Sequence, residues 1–195
     1  MIPNRLVGAW ERESIAVNGG PPAEHQWVRY LQATRSYADL RLARDGGTGT
    51  MCFAGTTSWD PARSLARWDH ALDLAPAGPD EGVLEWLSGG RVRERGTFAG
   101  PDGRVPYEEV WRRLPGGEGE TAALRSDDPP ARLVQVGAHR LIVVDRRATG
   151  GDFAARYETR TGTEWAPRLT LGDPTALPHP DAPCWAVDEA RPRHR

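Results

Sequence analysis

Short runs of alternating apolar and polar residues, each ended by Gly, Pro, Asp or Asn, dominate the chain. This period of two predicts strands over residues 7–16, 26–33, 36–42, 50–59, 65–74, 83–87, 91–98 and 107–114. Between them lie Asn18-Gly19-Gly20-Pro21-Pro22, Asp45-Gly46-Gly47 and Pro101-Asp102-Gly103, all rich in residues that favour turns. Ser88-Gly89-Gly90 marks a hairpin. Only residues 61–66 suit a short helical turn. Turn signals about every 8–12 residues predict an all-β antiparallel meander. Closing it into a barrel of eight or more strands removes both open edges and leaves room for one small ligand.

After Pro115-Gly116-Gly117 the pattern loosens. Residues 133–137 and 140–146 predict a hairpin, 153–159 and 164–171 two more strands, and 184–187 a last short one. The expected division is therefore main barrel strands over 5–115 and a C-terminal β extension over 116–189. That extension looks too broken to bury its own core, so it packs on the barrel or completes it. Residues 190–195 read as a mobile tail.

Alternation also sorts side chains by face. Trp10 selects the inner face of the first strand and brings Arg12 with it, leaving Glu11, Glu13 and Ile15 opposite. Trp68, His70, Leu72 and Leu74 share one buried face. Glu94 aligns with Val92 and Phe98, and Glu109 with Tyr107 and Trp111. Residues 83–87 are ambiguous, because Glu85 aligns with Val83 while Trp86 faces the other way. Tyr37, Asp39 and Arg41 lie opposite Ala38, Leu40 and Leu42 and are expected to face solvent; an inverted alternation would bring Asp39 and Arg41 inside.

Charges placed among Trp rings must pair or become neutral. Arg12, His70 and Glu94 are the candidate catalytic residues, Arg12 to orient a carboxylate or carbonyl and Glu94 or His70 to move a proton. Trp10, Trp68, Trp111, Glu109, Arg41 and Tyr37 are the candidate substrate-binding residues. The competing reading is structural, since a buried Arg–Glu pair also fixes strand register.

Composition narrows the chemistry. The 25 basic residues are all Arg, which excludes a Schiff base, a pyridoxal anchor and a P-loop lysine. A net charge of −2 argues against a broad basic surface for nucleic acid. Cys52 and Cys184 form no CxxC, and the five His residues have no metal-ligand spacing, so no metal site and no cofactor is expected. No segment approaches the ~20 apolar residues of a membrane helix, and the N-terminus lacks a signal-peptide run. A cytoplasmic setting is expected, with no membrane partner and homodimerisation left open.

Leu6-Val7-Gly8-Ala9-Trp10 resembles the first strand of calycin (lipocalin-like) barrels. Trp27-Val28-Arg29-Tyr30-Leu31-Gln32 followed by Tyr37-Ala38-Asp39-Leu40-Arg41-Leu42, with Tyr107–Leu114 later, is similar to Hri1-like members. The resemblance covers about residues 6–147 and implies a barrel for small apolar molecules. Some barrels of this kind are cyclases or isomerases. Haem is not implied, because Glu11 and Arg12 break the GxWxGxG start of the haem-binding branch. Two functions follow as expectations: cofactor-free cyclase or isomerase chemistry on an apolar natural-product-like substrate, or non-catalytic binding of a small apolar or aromatic ligand.

Overall fold

The computed structural model describes residues 1–46, 49–76 and 78–191. The barrel strands are β1 (Gly8–Val17), β2 (Gln26–Gln32), β3 (Ser36–Ala43), β4 (Met51–Asp60), β5 (Leu65–Asp73), β6 (Asp80–Trp86), β7 (Arg91–Gly100) and β8 (Gly103–Arg113). They pair antiparallel in chain order, and β8 returns to β1, so the all-β meander closes. Strands β9 (Thr121–Asp127), β10 (Pro130–Val136), β11 (His139–Asp145), β12 (Phe153–Thr161), β13 (Glu164–Leu171) and β14 (Ala186–Arg191) form a separate six-stranded sheet. Its order is β13-β12-β11-β10-β9-β14. Strand β14 runs two residues into the segment expected to be mobile; residues 192–195 lie outside the described residues.

The second sheet covers the outside of β2–β5. Leu31, Ala38, Leu40, Cys52, Ala54 and Leu72 from the barrel wall meet Val134, Val136, Leu141, Val143, Ala155 and Tyr157 in one buried cluster. The apolar faces of β2 and β3 are therefore the outer faces. Tyr37, Asp39 and Arg41 point into the barrel, not to solvent, which corrects the expected orientation. The alternation was read correctly, but the apolar side lies against a second layer instead of the lumen. On its far side the second sheet has a small core of its own, with Leu133, Ile142, Val144 and Leu177. The C-terminal segment was expected to bury none.

Two irregularities shift further faces. A bulge between Arg12 and Ser14 reverses the alternation in β1, so Ile15 lines the interior although Glu13 was expected to share its face. A second register shift occurs where Ala54 and Gly55 of β4 pair with Leu72 and His70. Trp68 stays inside, while Leu72 joins the outer cluster. Gly55 is required there, because a Cβ would stand 1.9 Å from the Asp69 carbonyl oxygen. In β6, Leu84 and Trp86 pack inward and Val83 is exposed, which resolves the ambiguous strand.

Candidate functional site

The barrel encloses a cavity of about 420 Å³. The N-terminal segment closes one end: Ile2 and Leu6 are buried in the barrel core, and the Trp10 indole N–H donates to the Leu6 carbonyl at 2.9 Å. Met51, Pro79, Asp80, Phe98 and Arg104 ring the other end. Tyr30, Tyr37, Phe53, Trp68 and Trp111 supply aromatic walls. Their rings form a continuous set, with Tyr30 against Tyr37, Trp68 and Trp111 at centroid distances of 6.0, 6.4 and 5.7 Å. The Trp68 indole donates to the Tyr30 hydroxyl at 2.9 Å, and that hydroxyl donates to Gln32.

Arg12 stands at a gap in the wall. Strands β1 and β2 pair from Gly8↔Gln32 to Trp10↔Tyr30 and then separate, meeting again only at an isolated bridge between Ile15 and Ala23. The guanidinium fills this interval. Its Nε donates to Glu24 at 2.6 Å, Nη2 to Gln26 at 2.6 Å and to Glu24 at 3.2 Å, and Nη1 to Glu109 on β8 at 2.5 Å. All three nitrogens are committed to the protein, so the expected role of orienting a substrate carboxylate does not fit this geometry. Arg12 holds three segments together. Arg41 is committed in the same way: Nη2 and Nε hold Asp39 at 2.9 and 3.2 Å, and Nη1 reaches Glu109 at 3.2 Å.

Glu94 differs. Burial, reinforced by the negative charge of Glu109 across the β7–β8 pair, pushes its carboxyl up to about 8. Its one hydrogen bond among the described residues comes from the Tyr107 hydroxyl at 2.7 Å. Two glycines make room for this pair. A Cβ on Gly82 would lie 2.6 Å from Glu94 Cγ, and one on Gly96 would lie 2.5 Å from the Tyr107 oxygen. A carboxyl that keeps its proton at neutral pH can donate that proton to a guest or give it up to bind one. Burial first, then neighbouring acidic groups, pushes the Tyr37 and Tyr107 hydroxyls up, so both stay neutral.

His70 keeps the inner face of β5, since Gly55 pairs with both Tyr37 and His70, but it does not line the cavity. It stacks on Phe53 with centroids 4.5 Å apart and a 3° interplanar angle. Its Nδ1 lies 2.7 Å from Asp73, and Nε2 lies 3.5 Å from Asp80, within charge range but long for a hydrogen bond. Burial disfavours the imidazolium, but Asp80 and Asp73 outweigh it and raise the pKa. The ring faces a surface recess shared with Arg67, Asp69, Asp145 and Arg147. The expected catalytic residue thus packs beside the lumen rings without lining the cavity; the register shift falls at Ala71, after His70, and turns Leu72 to the outer cluster.

Trp10, Arg12, Tyr37, Arg41, Trp68, Glu94, Glu109 and Trp111 converge on the cavity. The sequence reading did not select Tyr30, Asp39, Tyr107, Glu24 or Gln26. Tyr107 was findable from its face shared with Glu109, and Asp39 from its face shared with Arg41. Glu24 carried no signal, because it sits in a turn segment with no alternation. Among the described residues no group of three His, Cys, Asp or Glu is placed to hold a metal, and no helix is long and apolar enough to cross a membrane.

A closed barrel with an open, partly aromatic interior is consistent with small-ligand binding. No curated protein and no solved structure matches the chain. A family model described as Protein HRI1 matches residues 9–194, in accord with the Hri1-like strand pattern and with the closed eight-strand barrel. The chain belongs to the HRI1 family.

Proposed function

We propose that the protein binds one small apolar or aromatic molecule inside the barrel. The lumen carries this reading: a cavity of about 420 Å³ with eight aromatic side chains in its lining, lying within the range of about 300–1,000 Å³ typical of small-molecule sites. We place it in the cytoplasm, a reducing setting that accords with the free thiols Cys52 and Cys184.

The test uses the neutral fluorophore N-phenyl-1-naphthylamine. The wild type takes up one equivalent with enhanced, saturable emission. Val92→Trp fills the lumen beside Trp111 and abolishes uptake while thermal unfolding stays cooperative. Leu84→Phe, a smaller intrusion, weakens uptake. Failure of the wild type to take up the probe or any similar arene overturns the reading, as does undiminished uptake by both variants.

The Glu94–Tyr107 pair favours a second reading, cofactor-free isomerase or cyclase chemistry in which Glu94 transfers a proton to or from a bound carbon acid. Enzyme-dependent incorporation of solvent deuterium into a bound ligand would support it. Glu94→Gln must then keep ligand affinity and lose exchange. Exchange that persists in Glu94→Gln removes Glu94 from the chemistry.

A further inference from the structure

We propose that the barrel selects ligands carrying an amine or another cationic hydrogen-bond donor, which pairs with Glu94 among the aromatic rings. The proposal rests on the small-ligand reading and adds the ligand's charge. Its basis is the lumen's unequal inventory of charged groups. Two guanidinium groups, Arg12 and Arg41, face three carboxyl groups at depth, Asp39, Glu94 and Glu109, and Arg12 is further held by Glu24 outside the cavity lining. Each nitrogen of both arginines already donates to Glu24, Glu109, Asp39 or Gln26. An anionic guest would find no free cation at depth and would face the surplus acid.

Glu94 is the surplus. It is 7% exposed, and no arginine among the described residues hydrogen-bonds it. The groups facing it are Tyr107 and Glu109 from β8, Arg41 from β3, Asp80 from β6 and Tyr30 from β2. Of these, only Tyr107 satisfies it directly. The faces of Tyr30, Tyr37, Phe53, Trp68 and Trp111 favour a cation at the same depth. The mouth adds Asp80 and Arg104, the latter spent on Thr97 at 2.8 Å and exposed to solvent. An ammonium group entering the lumen gains an unpaired carboxylate. Because Glu94 is protonated in the free protein near neutral pH, its proton leaves to solvent when the cation binds.

The experiment compares three arenes of one shape by calorimetry at pH 7: 2-naphthylmethylamine, 2-naphthalenemethanol and 2-naphthoate. The amine should bind about tenfold or more tighter than the alcohol, as one charge-assisted hydrogen bond supplies. The naphthoate should bind more weakly than either. Repeating the amine titration in phosphate and Tris should reveal release of up to one proton per ligand, a readout that needs no variant. Glu94→Gln should bring the amine to the affinity of the alcohol and end proton release. Naphthoate binding as tightly as the amine, an amine preference that survives Glu94→Gln, or binding without proton release overturns the proposal. Binding of the alcohol with no amine preference overturns it while sparing the small-ligand reading; binding of none of the three overturns both.

Discussion

Replacing Glu94 by Gln should make the protein more stable, by an amount that grows with pH. The folded carboxyl holds its proton up to about 8, whereas the unfolded one loses it near 4.5. Below about 4.5 both states are protonated, and the group adds no pH dependence. Between about 4.5 and 8 the folded state binds the extra proton, so stability falls by about 1.4 kcal/mol per pH unit. Above 8 both states are ionised and the loss levels off at about 5 kcal/mol. Gln cannot ionise, and its side-chain oxygen can still accept from Tyr107. Urea denaturation of both proteins at pH 5, 6, 7 and 8 measures the difference. The advantage of Glu94→Gln should widen by about 3–4 kcal/mol from pH 5 to pH 8. A constant gap across that range would show that Glu94 ionises normally in the folded barrel, and the account of its environment would fail.

Arg12→Met leaves buried Glu24 and Glu109 without their shared cation and should cost about 3–5 kcal/mol. At about 2–4 °C per kcal/mol, calorimetry should show a Tm lower by roughly 6–20 °C; a drop under about 3 °C would mean the two acids find other partners. Gly55→Ala forces a methyl group into the Asp69 carbonyl and should cost about 3 kcal/mol in the same assay, the upper end for overpacking. An unaffected melting curve would show that the β4–β5 register can relax. Burial pushes the Cys52 thiol up, whereas Cys184 is exposed. A thiol reagent should therefore titrate one cysteine in native protein and two in denaturant, and rapid reaction of both in buffer would place Cys52 outside the packed interface.

The barrel was legible because each strand between β1 and β8 carries its own alternation and turn signals. Residues that lay on bulge-free strands, such as Glu94, Glu109 and Trp111, were placed correctly from that alternation. What was lost has three physical sources. A strand buried on both sides gives no clue to which side is the lumen, so Tyr37, Asp39 and Arg41 were turned the wrong way. A bulge inserts one residue without a reliable local signature, and that displaced Ile15 and Leu72. Long-range partners such as Glu24 depend on which turn folds over which gap, which no local period encodes. Strand β9 was also missed; its sequence, Thr121–Asp127, carries Arg125 and three acidic or hydroxyl residues that blur the alternation.

The first seam of the barrel is fastened by a guanidinium where other seams are fastened by peptide groups. A backbone ladder is nearly indifferent to solvent composition, whereas this clasp answers to protons and to dissolved ions. Amide exchange over residues 13–25 should therefore quicken in strong salt, or in acid sufficient to neutralise Glu24, before the remaining staves of the barrel loosen. The molecule thus has one wall whose tightness is set by its surroundings.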